Sequence, residues 1–513
     1  MIFMKYRAAR FAFLLASALP LSGMAQPVAA EASAGDSSVV GAVAEHSSVR
    51  AAFLQTLYDN PAMQQHRYAT TLNRLALSAE GWQATSPQLL EEGDEGRHAA
   101  AAIDAYIVKR QTTLWGQAGY SNGRTENVGF TETSDYQLLY PYLMADTLAC
   151  GTTHEERYDF SGGFASAVGN RWTLAAAGCY TARLDYRTRD PRPKNLTGHL
   201  RLSLAAALRL SEYQIGLAAH FNRYKQTNEL KFYDEVNVPV VYHLTGVGTD
   251  YYRFRGENTS TYYKGTGGGF SLNARPVGGR GLVASLTYHR LQLDKIISTL
   301  NELPLATLTT DRQQAEVAWM ERGWGVKLTE SYAHRAGQEN VFGSPAANMY
   351  PQISAMPQYG SHEWQLGGQA FCEQRLASWH LGGTLGAYYQ HWSEEHLAPH
   401  SELEAHRMGG TLSANAQWQH DRWLLSADGA LDYAWQADGS LSTAQLAMQS
   451  VLPPTEHRFS YLSQRELQTK AALAAHYDTR RGYALYAALR WHWRQYLESA
   501  HQNRLHIAVG LTF

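Results

Sequence analysis

The chain has 513 residues, and its 44 Lys and Arg nearly cancel 46 Asp and Glu, leaving a formal charge of −2. That balance gives no case for nucleic acid or an acidic macromolecule as partner. Gly (43), Tyr (31) and Trp (13) are abundant beside 16 Pro, which suits a long closed sheet, and the three cysteines form no metal-binding spacing.

Met1 to Ala25 reads as a secretory export segment: Lys5, Arg7 and Arg10 precede an apolar run from Phe11 to Leu21, and Gly23-Met24-Ala25 offers a cleavage site. Residues 26–40 are rich in Ala, Ser and Gly and read as flexible. Val49, Ala52, Phe53 and Leu57 then recur at helical spacing, and Asn60-Pro61 closes the helix, because a residue before Pro is pushed out of the α region. The expected organisation is an export segment at 1–25, a flexible segment and short helix at 26–67 acting as plug or periplasmic cap, and a barrel at 68–513. Asn60 and Pro61 mark where the chain would enter the plug.

From Tyr68 onward, alternating segments follow one another. In Leu200–Leu210 the even positions are apolar, while Arg201, Ser203, Ala205, Ala207 and Arg209 fill the odd ones. After Ser211-Glu212 the alternation resumes, as in a tight hairpin. Comparable short turns occur at 169–170, 278–280, 321–323, 376–378, 420–422 and 479–481. Longer polar stretches lie between them, at 83–96, 125–155, 188–195, 227–261, 338–358 and 438–459. Short turns alternating with long loops predict an all-β, transmembrane, antiparallel up-and-down barrel of about 18 strands, with 16 the alternative. A mean hydropathy of −0.38 fits, because half of each strand faces a polar lumen. Trp172, Trp324, Trp379 and Trp423 each follow a short turn, where indole prefers the headgroup level.

The inward face collects Arg201, Arg209, His220, Lys327, Lys470, Arg490, His492 and Arg494, with Glu316 opposed. These side chains either make a basic pore wall that favours anions or pair with carboxylates of a plug or neighbouring strands. A predicted outer loop carries His391, Glu395, His396 and His400, followed by His406, residue types that bind transition metals. Other loops hold Tyr136, Tyr140, Tyr142, Tyr242, Tyr251, Tyr252, Phe254, Tyr262 and Tyr263, which would fill the barrel mouth or meet a ligand. Gly265-Thr266-Gly267-Gly268-Gly269 starts a strand, with no following Lys-Ser/Thr, and reads as room for close strand packing. A Cys150–Cys179 bridge and unpaired thiols both stay open. No nucleophile elbow or paired-Cys zinc pattern occurs, so no enzyme and no cofactor are expected.

The chain ends Arg504-Leu-His-Ile-Ala-Val-Gly-Leu-Thr-Phe513, apolar at every second position. This resembles the C-terminal strand of Gram-negative outer-membrane barrels, whose terminal Phe marks them for insertion. With the repeated hairpins and Tyr58-Asp59-Asn60-Pro61-Ala62 before the first strand, the chain resembles an uncharacterised Bacteroidetes-type family of outer-membrane β-barrels. The Asn60-Pro61-Ala62 segment also resembles the N-terminal hatch of fatty-acid-transporter-like barrels. The resemblance implies an outer-membrane location and passage, or assisted passage, of a small solute in nutrient or iron uptake. It implies outer-membrane lipid, a solute, and a partner receptor or lipoprotein as contacts. The alternative is an accessory barrel that docks an uptake receptor or an envelope-assembly complex. With about 40 mature residues before the first strand, the chain is not expected to be an energised receptor itself.

Overall fold

A computed structural model describes residues 38–513 except 66, 147–149, 235, 237–238, 257–259, 347–348 and 445–449. The expected export segment and most of the small-residue stretch after it lie outside the described residues. Eighteen strands of one sheet follow in chain order, apart from three short strands in the loops. They are β1 (Leu72–Ala84), β2 (Glu95–Val108), β3 (Thr112–Val128), β4 (Gly151–Val168), β5 (Trp172–Tyr186) and β6 (Arg192–Leu210). Then come β7 (Tyr213–Lys231), β8 (Ser260–Pro276), β9 (Gly281–Ile297), β10 (Leu303–Glu321), β11 (Trp324–Phe342) and β12 (Gln352–Leu376). The last six are β13 (Trp379–His396), β14 (Ser401–His420), β15 (Trp423–Ser442), β16 (Glu466–Asp478), β17 (Ala484–Tyr496) and β18 (Ala500–Thr512).

Each strand pairs antiparallel with the next, and β1 pairs with β18 through Leu77↔Val509 and its neighbours. Reciprocal backbone bonds between Asn73 and Phe513, at 2.7 and 2.9 Å, finish the seam. The protein is therefore a closed 18-stranded transmembrane barrel. Closure is what lipid demands, since an open sheet edge there would leave amides without partners.

The alternation read from sequence sorts lipid from lumen. Leu202, Leu204, Leu217, Leu328 and Leu385 are exposed on the outside, whereas Ala165, Ala207 and Ala318 are buried on the inside. Trp172, Trp324, Trp379 and Trp423 are also exposed on the outer surface. All four stand at the short-turn end, as an interfacial aromatic girdle requires. Gly267 shows why the Gly-rich stretch is needed: a Cβ there would collide with the Arg290 carbonyl on the adjacent strand.

Two expectations need correction. Strands run further outward than the alternation suggested: β11 continues to Phe342, β12 starts at Gln352, and β13 runs through the predicted His-rich loop to His396. Above the bilayer both faces of a strand meet water or folded loops, so apolar alternation vanishes while backbone pairing continues. The predicted loop at 438–459 also contains a helix, Pro453–Leu462, with Pro in its first turn.

Candidate functional site

The lumen is occupied at both ends. At the short-turn end, residues 38–64 fold inside the barrel as α1 (Val39–Glu45), α2 (Val49–Phe53) and two 3-10 turns, Gln55–Asp59 and Pro61–Gln64. The Ser38 hydroxyl accepts from the Gly41 amide and starts α1. The Asn60 side chain accepts from the Ala62 amide at 2.9 Å, and Pro61 opens the second turn. The single helix expected up to Asn60 is broken after Phe53, yet Phe53, Leu57, Tyr58 and Met63 still share one surface, which packs against Ala165, Ala175, Ala207, Met320 and Phe371 of the wall. Small residues leave the room. A Cβ on Gly216 would lie 2.5 Å from the Met63 methyl.

Polar anchors fix this plug. Asn60 is fully buried and donates to Asn273 Oδ1 at 2.9 Å, and Asn273 donates to Ser285 at 3.0 Å. Lys327 donates to the Phe53 carbonyl at 2.7 Å and pairs with Glu316 at 3.3 Å, while Thr56 donates to the same carboxylate at 3.1 Å. Gln65 accepts from Thr173 at 2.6 Å and donates to the Gln111 carbonyl at 3.0 Å. Arg50 donates to the carbonyls of Glu321 and Gly279. Of these groups, sequence reasoning picked out Lys327, Glu316 and Asn60. Thr56, Gln65, Arg50 and Asn273 left no trace, because a hydrogen bond between residues hundreds of positions apart has no local pattern.

At the outer end, residues 129–146 fold into the mouth. Leu139, Tyr142 and Leu143 join Tyr224, Tyr242, Tyr263, Leu293 and Tyr359 in one apolar cluster. Tyr263 donates to the Tyr142 carbonyl at 2.9 Å and Lys295 to the Leu143 carbonyl at 2.7 Å. Arg187 and Glu132 form a buried pair at 2.6 Å. Arg183 is held by Glu155 (2.7 Å), Asp185 (2.9 Å) and Asp135 (3.1 Å). Arg458, on the helix of loop 443–465, reaches Glu394 at 3.0 Å, and Tyr140 donates to Glu394 at 2.6 Å. Burial pushes the Glu132 carboxyl well up, against the pull of Arg187. Glu91, in loop 85–94, is pushed up to about 7 by burial, opposed by Arg458.

Two sizeable cavities lie between the described residues. The first, about 760 Å³, lies against β3–β6 and β16–β18 under loop 85–94 and residues 129–146. Nine cationic and six acidic side chains line it. Arg201, Lys470, Arg490, His492 and Arg494 belong to it, and Arg494 is paired with Glu466 at 2.5 Å. The second, also about 760 Å³, opens beside the plug at the short-turn end. Among the described residues, Arg50, Arg171, Arg209, Arg275, Arg280 and Arg322 line it with Glu373 as the one carboxylate. His220 sits in neither. Its ring nitrogens contact Ser203 at 2.8 Å and Ser271 at 2.7 Å.

The predicted metal set does not converge. His396 points inward to the Pro399 carbonyl at 3.0 Å and Glu339 at 3.4 Å, while His400 meets Glu395 at 3.6 Å on the exposed turn. His391 instead joins Glu404 and His406, and the ligand atoms of these three lie within 4.8 Å of one another. The free thiols Cys150, Cys179 and Cys372 form no bridge.

No curated protein sequence matches the chain. Several solved structures match the chain at low similarity. The copper transporter OprC is 9% identical, over 87% of this chain and 81% of its own, with a TM-score of 0.39. BauA, the ferric preacinetobactin receptor from Acinetobacter baumannii, is 9% identical over 87% and 80%, with a TM-score of 0.40. The CymD monoaromatic hydrocarbon channel is 11% identical over 89% and 92%, with a TM-score of 0.31. Scores this low say nothing of what this chain carries. Residues 61–513 match the family of unknown function DUF6850, and the chain belongs to that family.

Proposed function

We propose that this protein is an outer-membrane barrel, exported by its N-terminal segment, that provides or assists passage for a small anionic solute and is closed at rest by its plug and mouth loops. The observation that carries the reading is the arginine-lined cavity at the short-turn end. Six guanidiniums face one carboxylate there, although the whole chain is close to neutral. A cleft lined by one sign of charge, with low-dielectric walls, concentrates counter-ions about 10- to 1,000-fold. The cavity between plug and mouth is more balanced, and several of its arginines are taken up in ion pairs that hold the loops. Passage then requires the plug, the loops or both to move aside. Nutrient or iron-related import fits that layout.

Planar-bilayer recording tests it. The intact chain should conduct little or intermittently. A chain lacking residues 40–64 should conduct steadily, with a reversal potential in a KCl gradient that marks chloride as the favoured ion. If both chains stay closed, the passage reading fails.

A second reading has its own observation. Tyr233, Val236 and Tyr252 stand exposed on loop 232–259 at the outer mouth, where an accessory barrel would dock a receptor or assembly complex. Co-purification in mild detergent, lost on Tyr252→Ser, would favour it.

A further inference from the structure

The outer rim of the barrel holds a group of side chains with no part in the plug or in the two cavities described above. His391 on β13 and His406 on β14 are directly opposed across the strand pair, and Glu404 lies two residues from His406 on the same face. That face is the outside of the barrel. Trp392 and Leu403, their chain neighbours, pack into the mouth cluster instead. One pair nearer the bilayer stand Tyr389 and the exposed Met408, so the group sits just above the apolar belt. His391 Nε2 lies 3.0 Å and His406 Nε2 3.2 Å from the same oxygen, Glu404 Oε1. The two rings stack at 4.5 Å with 12° between planes. His406 Nδ1 meets the Tyr389 hydroxyl at 2.6 Å.

We infer that His391, His406 and Glu404 form a binding site for a first-row transition-metal ion, with zinc the ion they suit best. Three arguments support this. The first is donor chemistry. Two imidazoles and one carboxylate suit Zn, Cu, Ni or Fe, whereas calcium takes six to eight oxygens. The second is spacing. Bonds of 2.0–2.1 Å around a tetrahedral ion put neighbouring donors about 3.4 Å apart. The two nitrogen–oxygen separations, 3.0 and 3.2 Å, are already close to that edge. Only the separation between the two imidazole nitrogens has to tighten, by a small ring rotation. The third is the outer support. A histidine that ligates through Nε2 carries its proton on Nδ1, and Tyr389 stands where that proton can be donated. The ligands sit on paired strands of a closed sheet rather than on a loop, so little conformational freedom is lost on binding. The remaining coordination positions face outward and belong to water or an external ligand. The ion replaces the protons that now bridge the imidazoles to Glu404, so uptake releases protons and weakens in acid.

The test uses the full-length chain without a histidine tag, in detergent near pH 7.5, titrated with zinc chloride by calorimetry and with Co²⁺ by visible absorption. Wild type should take up one ion per chain and give Co²⁺ the strong bands of a tetrahedral site. H391Q, H406Q and E404Q should each weaken binding by at least about tenfold, and Y389F by about tenfold through loss of the outer hydrogen bond. H396Q and H400Q should bind as wild type does. All six positions lie near the rim, so folding is checked by heat-dependent gel mobility. Absence of uptake by wild type, or wild-type affinity in both H391Q and H406Q, overturns the assignment. So does an equal loss in H396Q, which would mark diffuse histidine binding.

Discussion

A charge placed on the lipid face of β18 should cost stability according to its height. On that strand Leu505, Ile507, Val509, Leu511 and Phe513 face outward. Eight residue steps of about 3.3 Å, tilted about 40°, span roughly 20 Å, close to the height of an apolar barrel belt. Val509 is the midpoint, beside Leu77 and Ala487 on the flanking strands. Val509→Arg should therefore cost about 2–4 kcal/mol, the value for Arg at mid-bilayer. Asn503 lies six residues outward on the same face, about 15 Å higher, so Asn503→Arg should cost at most about 1 kcal/mol. Both variants are compared by urea unfolding in phospholipid vesicles, followed by tryptophan fluorescence. Equal costs at the two positions would refute the placement of the belt, and a negligible cost at Val509 would refute the bilayer.

Other predictions concern the two closures. Arg187→Leu strands Glu132 in a buried site, which should cost about 3–5 kcal/mol locally and expose residues 129–146 to limited proteolysis. The double variant Arg187→Leu/Glu132→Leu should be less sensitive than the single one, because no charge is left unpaired. Glu316→Ala removes the partner of both Lys327 and Thr56 and should increase the open time of the channel in bilayer recordings. Glu91 gives the mouth a pH dependence. Its carboxyl lies near the ordinary value of 4.5 when its loop is open and is pushed up to about 7 when the loop is closed. Closing therefore takes up a proton between those values, so the closed form is fully favoured below about pH 4.5 and loses that advantage as pH rises through 7. After division by the base-catalysed intrinsic rate, the protection of amides in residues 85–94 against deuterium exchange should be lower at pH 8 than at pH 5, and Glu91→Gln should flatten the difference.

The part of the fold that touches lipid was legible in the sequence because lipid forces a period of two on every strand. Leu202 to Leu210, Trp172 after its turn and the terminal Phe513 all obey that constraint. The strand ends above the bilayer were not legible, since nothing compels His391 or Gln352 to alternate with apolar neighbours. The plug was half visible. The spacing of Val49, Phe53 and Leu57 and the stop at Asn60-Pro61 pointed to one helix, which the structure breaks after Phe53 into 3-10 turns, and Asn273 and Thr173 showed no sign of receiving it. The lumen charges divided. Lys327 and Arg494 hold structure through Glu316 and Glu466, whereas Arg209 belongs to the arginine cavity, whose other members come from α2, from β8 and from three separate turns that only barrel closure gathers. Crowding of histidines was a usable hint, yet strand pairing, not proximity in sequence, chooses the partners of His391.

The anchors of the plug also set an order of assembly. Asn60 bonds a residue 213 positions later, Thr56 one 260 later, Phe53 one 274 later and Arg50 one 323 later. All four sites lie on β8–β12, half a circumference from the β1–β18 seam. Gln65 can meet Gln111 and Thr173 early, but these four anchors cannot form until the middle of the barrel has, and contacts this distant are slow to find. The seating of the plug and the closing of the seam belong to the same late stage. If the proposed closure holds, a nascent barrel with an unoccupied socket is open at its short-turn end, and docking of this short stretch doubles as the step that closes it.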